Sequence, residues 1–249
     1  MIFLDHLLAF TLVVIGPLVT GTIGLRRFRE ASPQELPRVR GDAYRIAMTT
    51  QWLRVLATGL IWWLTRRPLA DLGLEPHFGA GFIGVTVGLV VIVGVMIRQR
   101  GPALDDPESL AEIRARLENV EFLLPHTRLE FKRFAWVAVT AGLCEELLYR
   151  GYLIWYFSHA LPWWAAGLVS ALAFGMGHAY QGTRGVAVTT LLGAFLAAVY
   201  FLSGSLFVPM VIHALMDLHT GDMARRAYEH EALEAHPEPP DTSPDRVQA

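Results

Sequence analysis

The chain has 249 residues, 53% of them hydrophobic and 18% charged, whereas about a quarter of an average soluble domain is charged. That deficit, with a mean hydropathy of +0.37, excludes an ordinary soluble globule and points to several membrane spans. The net charge of −2 gives no reason to expect nucleic-acid binding, and the single cysteine, Cys144, excludes an internal disulfide.

A helix needs about 20 mostly apolar residues to cross a bilayer. Seven stretches qualify as candidates: residues 7–25, 46–64, 78–97, 134–157, 161–178, 186–202 and 206–218. The runs are continuous, not alternating as the strands of a membrane barrel would be. The expected fold is therefore all-α, a polytopic transmembrane helical bundle of about seven spans, with counts of six to eight also fitting. The first stretch lacks a basic leader and a small-residue cleavage site, so it is expected to stay as a span. The last is short and carries Pro209, which suggests a tilted or shielded helix.

Basic residues in the connecting loops set orientation. Arg26, Arg27, Arg29, Arg38, Arg40 and Arg45 crowd the first loop, and Arg98, Arg100, Arg114, Arg116, Arg128, Lys132 and Arg133 the third. The second loop has only Arg66 and Arg67, while Arg184 lies in the fifth and Arg225 and Arg226 follow the last span. Odd loops are thus expected in the cytoplasm, with the N-terminus outside and the C-terminus inside. Trp62, Trp63, Trp163 and Trp164 then fall at the outer ends, where aromatic belts form. Lysine occurs once among 21 basic residues, an arginine bias typical of a GC-rich bacterial genome, so the expected location is a bacterial inner membrane.

Outside the spans, residues 107–119 (PESLAEIRARLEN) place Leu110, Ile113 and Leu117 at helical spacing and read as an amphipathic helix on the cytoplasmic surface. Residues 229–249, rich in Pro, Glu and Asp, read as disordered. The chain divides into N-terminal spans with the amphipathic segment (1–133), a core carrying the chemistry (134–218) and a largely disordered cytoplasmic tail (219–249).

Within the fourth stretch lie Glu145, Glu146 and Arg150. Each ionisable group costs roughly 2.5–3.5 kcal/mol at mid-helix, so the three oppose insertion by roughly 8–10 kcal/mol and must face protein or water. Glu146 and Arg150 are four apart, the spacing at which helix side chains meet. Glu145 points about 100° away and has no local cation. The division is natural: Glu146 structural, Glu145 free to act. The fifth stretch ends in FGMGH, with Phe174 four residues before His178 and a helix surface thinned by Gly175 and Gly177. His213 and Asp217 share one face of the seventh. Taken singly, a folding clamp, an interfacial histidine and an interhelical hydrogen bond explain these pairs. Together, on the deduced topology, they line one cavity facing the cytoplasm. Carboxylate plus histidines either activates water or ligates metal, and both lead to hydrolysis.

These residues resemble the CAAX protease and bacteriocin-processing (CPBP, or Abi) family of intramembrane proteases. The E-E-x-x-x-R motif appears as Glu145 to Arg150, F-x-x-x-H as Phe174 to His178, and H-x-x-x-N/D as His213 to Asp217. The resemblance spans about residues 134–218 and implies hydrolysis of peptide bonds of membrane-associated substrates near the cytoplasmic face. It implies Glu145 as general base on water, with His178 assisting, and His213 with residue 217 at the oxyanion. Asp217 stands where prenyl-directed members carry Asn. A divalent metal such as zinc, held by Glu145, His178 and His213, is the alternative the resemblance leaves open. The expected partners are membrane lipids and a peptide or protein delivered at the membrane. Two other classes are compatible with the same residues: a non-catalytic scaffold or immunity factor, and a proton-coupled transporter.

Overall fold

The computed structural model describes residues 2–19, 25–75, 78–104 and 106–235. The described residues form helices joined by turns, with no strand among them, in agreement with the all-α reading. The first helix, α1 (Phe3–Val19), passes through a π-helical stretch at Thr11–Ile15. That wider turn lies directly before Pro17, whose missing N–H and ring clash break regular α bonding. Then come the short α2 (Leu25–Glu30), the long α3 (Leu36–Leu64), α4 (Ala80–Leu104) and α5 (Pro107–Leu117).

The chemistry-bearing residues lie on the second half. Helix α6 occupies residues 128–157, an α-helix over Arg128–Glu146 that opens into a π-helix at Leu147–Leu153 and closes with Ile154–Phe157. Its N-cap, Thr127, accepts from the Glu130 amide at 3.2 Å, satisfying one of the free donors of the first turn. Helix α7 (Trp163–Gly177) runs back, and a 3-10 turn, Ala179–Gln181, leads into α8 (Gly182–Ser203). Gly182 supplies the positive φ of 78° that this reversal needs. Helix α9 (Phe207–Ala235) completes the bundle.

Close packing brings α6, α7, α8 and α9 to the same level. A Cβ on Gly142 would lie 2.8 Å from the Met210 carbonyl oxygen and from Ala214, so only glycine lets α6 and α9 approach this closely. Gly175 does the same for α7 and α8, where a Cβ would lie 1.9 Å from Thr190 Oγ1. The thin surface expected at Gly175 therefore serves a neighbouring helix. The outer faces carry exposed apolar side chains, among them Leu56, Leu60 and Trp63 on α3, Val90 on α4, Leu172 on α7 and Leu191 on α8. Glu146, Arg150 and Thr58 are buried inside.

Several expectations need correction. By length and composition one helix among the described residues, Ala179–Ser203, can cross a membrane, while Phe3–Val19, Ala80–Val95 and Trp163–Gly177 are shorter apolar helices. Seven spans are not reproduced at this level, because the charged residues of α3, α6 and α9 interrupt their apolar runs. The short final span is the start of a 29-residue helix. Pro209 falls in its first turn, where no intrahelical N–H is needed, and the helix continues past the end of the apolar run. The tail is consequently helical to Ala235, and residues 236–249 lie outside the described residues. The amphipathic helix exists, yet Leu110 and Ile113 pack against Ala227 and Met223 of α9. Its apolar face is covered by protein, which also explains why α9 stays helical there.

The same end holds a polar latch. Arg40 Nη1 donates to Glu130 Oε1 at 2.6 Å and Arg40 Nε to the Phe122 carbonyl at 3.1 Å, while Tyr44 donates to the Leu123 carbonyl. The His126 ring stacks on Tyr228 with centroids 4.1 Å apart. Burial, and then the neighbouring Arg40 charge, push the His126 imidazole below its ordinary value. A group with a depressed value binds its proton more readily in the unfolded chain, so this stability is lost as pH falls below about 6.5. Thermal melting at pH 7.5 and 5.5 is expected to show a smaller acid-induced loss in His126→Phe, which keeps the stack, than in the wild type. Equal losses would remove His126 from the account.

Candidate active site

Glu146 ends the α-helical part of α6, and the π turn that follows carries Arg150. The Arg150 guanidinium is 1% exposed and its surroundings satisfy it in three ways. Nη1 donates to Glu146 Oε1 at 2.8 Å, Nη2 to the Gly193 carbonyl of α8 at 3.0 Å, and the carbon of the fork lies 4.5 Å from the Phe174 ring centroid. A buried charge is tolerated only when paired and hydrogen-bonded in this manner. The clamp expected from the spacing of Glu146 and Arg150 is present, and it also ties α6 to α7 and α8.

His213 of α9 joins the clamp from the other side, with Nδ1 2.8 Å from Glu146 Oε1. That oxygen already accepts from Arg150 Nη1, so Nδ1 is assigned as the donor. Nε2 is left facing two further carboxylates, Glu145 Oε2 at 3.9 Å and Asp217 Oδ2 at 3.7 Å. Neither distance is a hydrogen bond. Glu145 is held through its other oxygen, Oε1, which accepts from Gln51 Nε2 at 2.6 Å. Its Oε2 is buried with no hydrogen-bond partner among the described residues. Side-chain exposure rises from 0% at Glu146 through 5% at His213 and 16% at Glu145 to 35% at Asp217, so the site opens past Asp217.

His178 follows the last residue of α7. Its Nδ1 lies 2.9 Å from the Phe174 carbonyl; a carbonyl only accepts, so Nδ1 carries the proton and Nε2 keeps a lone pair. The Phe174 ring stands between the polar groups, its centroid 4.7 Å from that of His178 and 5.9 Å from that of His213. The structure thus brings Glu145, Glu146, Arg150, His213 and Asp217 into direct proximity. His178 adjoins them across Phe174 and makes no hydrogen bond to Glu145 among the described contacts.

No group of three or more His, Cys, Asp or Glu side chains among the described residues is placed to hold a metal ion. Both histidines engage Nδ1 with a fixed acceptor, which leaves Nε2 as the nitrogen a metal would use. Glu145, His178 and His213 nevertheless do not form a convergent ligand set among the described residues.

A hollow of about 340 Å³ lined by Phe28, Arg29, Asn119, Phe122, Tyr180, Gln181 and Gly182 lies beside the turn that follows His178. A larger one, about 710 Å³, lies toward the other end of α3 between Val55, Trp62, Trp63 and Leu69, and meets the motif helix only at Leu147. Neither hollow is lined by one of the motif carboxylates or histidines.

Gln51 was not among the residues picked out from the sequence. The signal was available: a lone amide in an otherwise apolar run, with Arg54 one turn further on. Among known proteins, residues 127–219 match the family model described as type II CAAX prenyl endopeptidase Rce1-like. That stretch starts at the N-cap of α6 and ends two residues past Asp217, so it takes in all three motifs and leaves α3 outside. No curated protein and no solved structure gives a significant match.

Proposed function

The chain belongs, through residues 127–219, to the CAAX protease (CPBP) family, and from that premise we propose that it is an intramembrane endopeptidase using glutamate-activated water on membrane-delivered peptides. The observation that carries this reading is the unequal treatment of two adjacent carboxylates. Both leave Oε2 without a hydrogen-bond partner among the described residues, but Glu146 Oε1 is held by Arg150 and His213 at 0% exposure, whereas Glu145 Oε1 accepts only from the Gln51 amide and its side chain is 16% exposed. In the proposed reaction Glu145 Oε2 takes a proton from water as the oxygen attacks the peptide carbonyl. The tetrahedral oxyanion then collapses, the C–N bond breaks, and the proton on Glu145 passes to the leaving amine. His213 stabilises the oxyanion through Nε2 when that nitrogen also carries a proton. His178 Nε2 is a second acceptor at the mouth. A thiol nucleophile is not needed, and Cys144, 1% exposed, is out of reach of a substrate. The test is a proteomic comparison of membranes from wild-type and Glu145→Gln cells, in which an uncleaved precursor accumulates only with the variant. Identical profiles at matched protein levels would refute the reading.

We also propose the multi-pass topology, with the site opening to the cytoplasm. The apolar outer faces and the exposed Trp63, Trp163 and Trp164 support it, as does the basic bias of the odd loops. Cysteines introduced near Gln34 and Asp106 should resist an impermeant thiol reagent in intact cells, and one near Asp71 should react. Labelling at Asp106 from outside would reverse the orientation.

Asp217 takes the oxyanion position that the family motif gives to Asn or Asp. An ionised carboxylate repels an oxyanion, so Asp217 must either donate as the acid or act by charging His213, 3.7 Å away. We favour the donor role. Asp217→Asn then keeps precursor processing and Asp217→Ala loses most of it. An inactive Asn variant would transfer the role to the charge on His213.

A further inference from the structure

Gln51 projects from α3 into the site from outside the matched residues 127–219, and only 9% of it is exposed. Its contact with Glu145 settles which way the amide faces. A carboxylate oxygen accepts only, so the 2.6 Å contact is made by Nε2, and Gln51 Oε1 turns away. That oxygen is buried without a hydrogen-bond partner among the described residues, as is Glu145 Oε2 on the neighbouring side chain. The contact also restrains Glu145. Its Oε2 is 3.9 Å from His213 Nε2, short of a hydrogen bond by about one ångström. Freed from Gln51, the carboxylate can turn to close that gap and pair with the imidazole, and a base engaged in an ion pair no longer takes a proton from water.

We propose that Gln51 is a positioning residue for the hydrolysis: it holds Glu145 Oε1 so that Oε2 stays clear of His213 and free to take the proton of the reacting water. This rests on the reading of Glu145 as the base. It makes α3 part of the catalytic unit, so residues 127–219 alone lack one element of the site.

The test uses the full chain in cells at matched expression, with the precursor that accumulates in Glu145→Gln as the probe. Gln51→Met has nearly the same shape and no donor. It is expected to slow processing about tenfold with a melting temperature close to the wild type, and to slow nothing further when added to Glu145→Gln. The infrared carboxylate band that disappears in Glu145→Gln is expected to shift in Gln51→Met, because that oxygen has lost its donor. Wild-type processing by Gln51→Met, or an unmoved band, overturns the positioning role while leaving Glu145 as the base. A melting temperature that collapses along with processing overturns it in favour of a packing role. Absence of any precursor in Glu145→Gln removes the hydrolytic reading beneath it, and a band shift seen even then would locate the failure in the reaction and not in the contact.

Discussion

Replacing Glu145 with glutamine is expected to leave yield and melting temperature near those of the wild type while precursor processing falls by about 10²-fold or more, the scale for loss of a general base. The structure explains why the fold should tolerate it. Glu145 Oε1 accepts from Gln51, and the amide oxygen of a glutamine can accept the same hydrogen bond in the same place. Among the described residues no arginine is paired with Glu145, and Arg150 is satisfied by Glu146, the Gly193 carbonyl and the Phe174 ring. Only the basic oxygen is lost. The measurement is a pulse-chase of the accumulating precursor with immunoblotted enzyme levels. Full processing at normal abundance would leave the scaffold reading standing in place of the enzyme.

Arg150→Ala should have the opposite character and destroy the protein before its chemistry can be assayed. It leaves the Glu146 carboxylate, 0% exposed, without its cation, and removing one partner of a buried pair costs about 3–5 kcal/mol. Whole domains are stable by only about 5–15 kcal/mol, so yield and melting temperature in detergent should both drop sharply. Arg150→Lys should rescue little. A single ammonium lacks the planar fork that reaches Glu146 and Gly193 together, and it stacks less well on Phe174. Glu146→Gln should resemble Arg150→Ala in yield, because it strands the guanidinium and weakens the hold on His213. If Arg150→Ala accumulates and melts like the wild type, the clamp is not what assembles α6, α7, α8 and α9.

The two glutamates behave differently in these experiments for a reason visible in one helical turn. Glu146 is four residues from Arg150, Glu145 is rotated about 100° from it, and the observed pairing follows that geometry even though a π turn begins between Glu146 and Arg150. Phe174 with His178 and His213 with Asp217 are likewise local pairs, so their spacing exposed them. Helix α5 was legible from the spacing of Leu110, Ile113 and Leu117, and the structure adds its cap, Asp106, which accepts from the Ser109 amide at 2.9 Å. Helix type itself followed from apolar runs too long and too continuous for strands.

What the chain's own order of residues could not express was partnership between distant segments. Glu145 and Gln51 are 94 positions apart and His213 and Glu146 are 67 apart, and no periodicity links them. Of the glycines that let helices meet, Gly175 against α8 looked in sequence only like a thin place on a helix, and Gly142 against α9 was not singled out. The end of α9 was misjudged for the same reason. Hydropathy falls after Leu218, but Ala224, Ala227 and Tyr228 find partners on Leu110, Leu117 and Leu124, so a run that is too polar for a membrane still has a buried face. The sequence by itself determined which residues are ionisable inside apolar helices and which of them pair within a turn, because those are properties of a single helix and its solvent. Tertiary structure alone decided that Glu146 is held by His213 as well as by Arg150, which nitrogen of His213 faces it and that α3 contributes Gln51, because each depends on where another helix comes to rest.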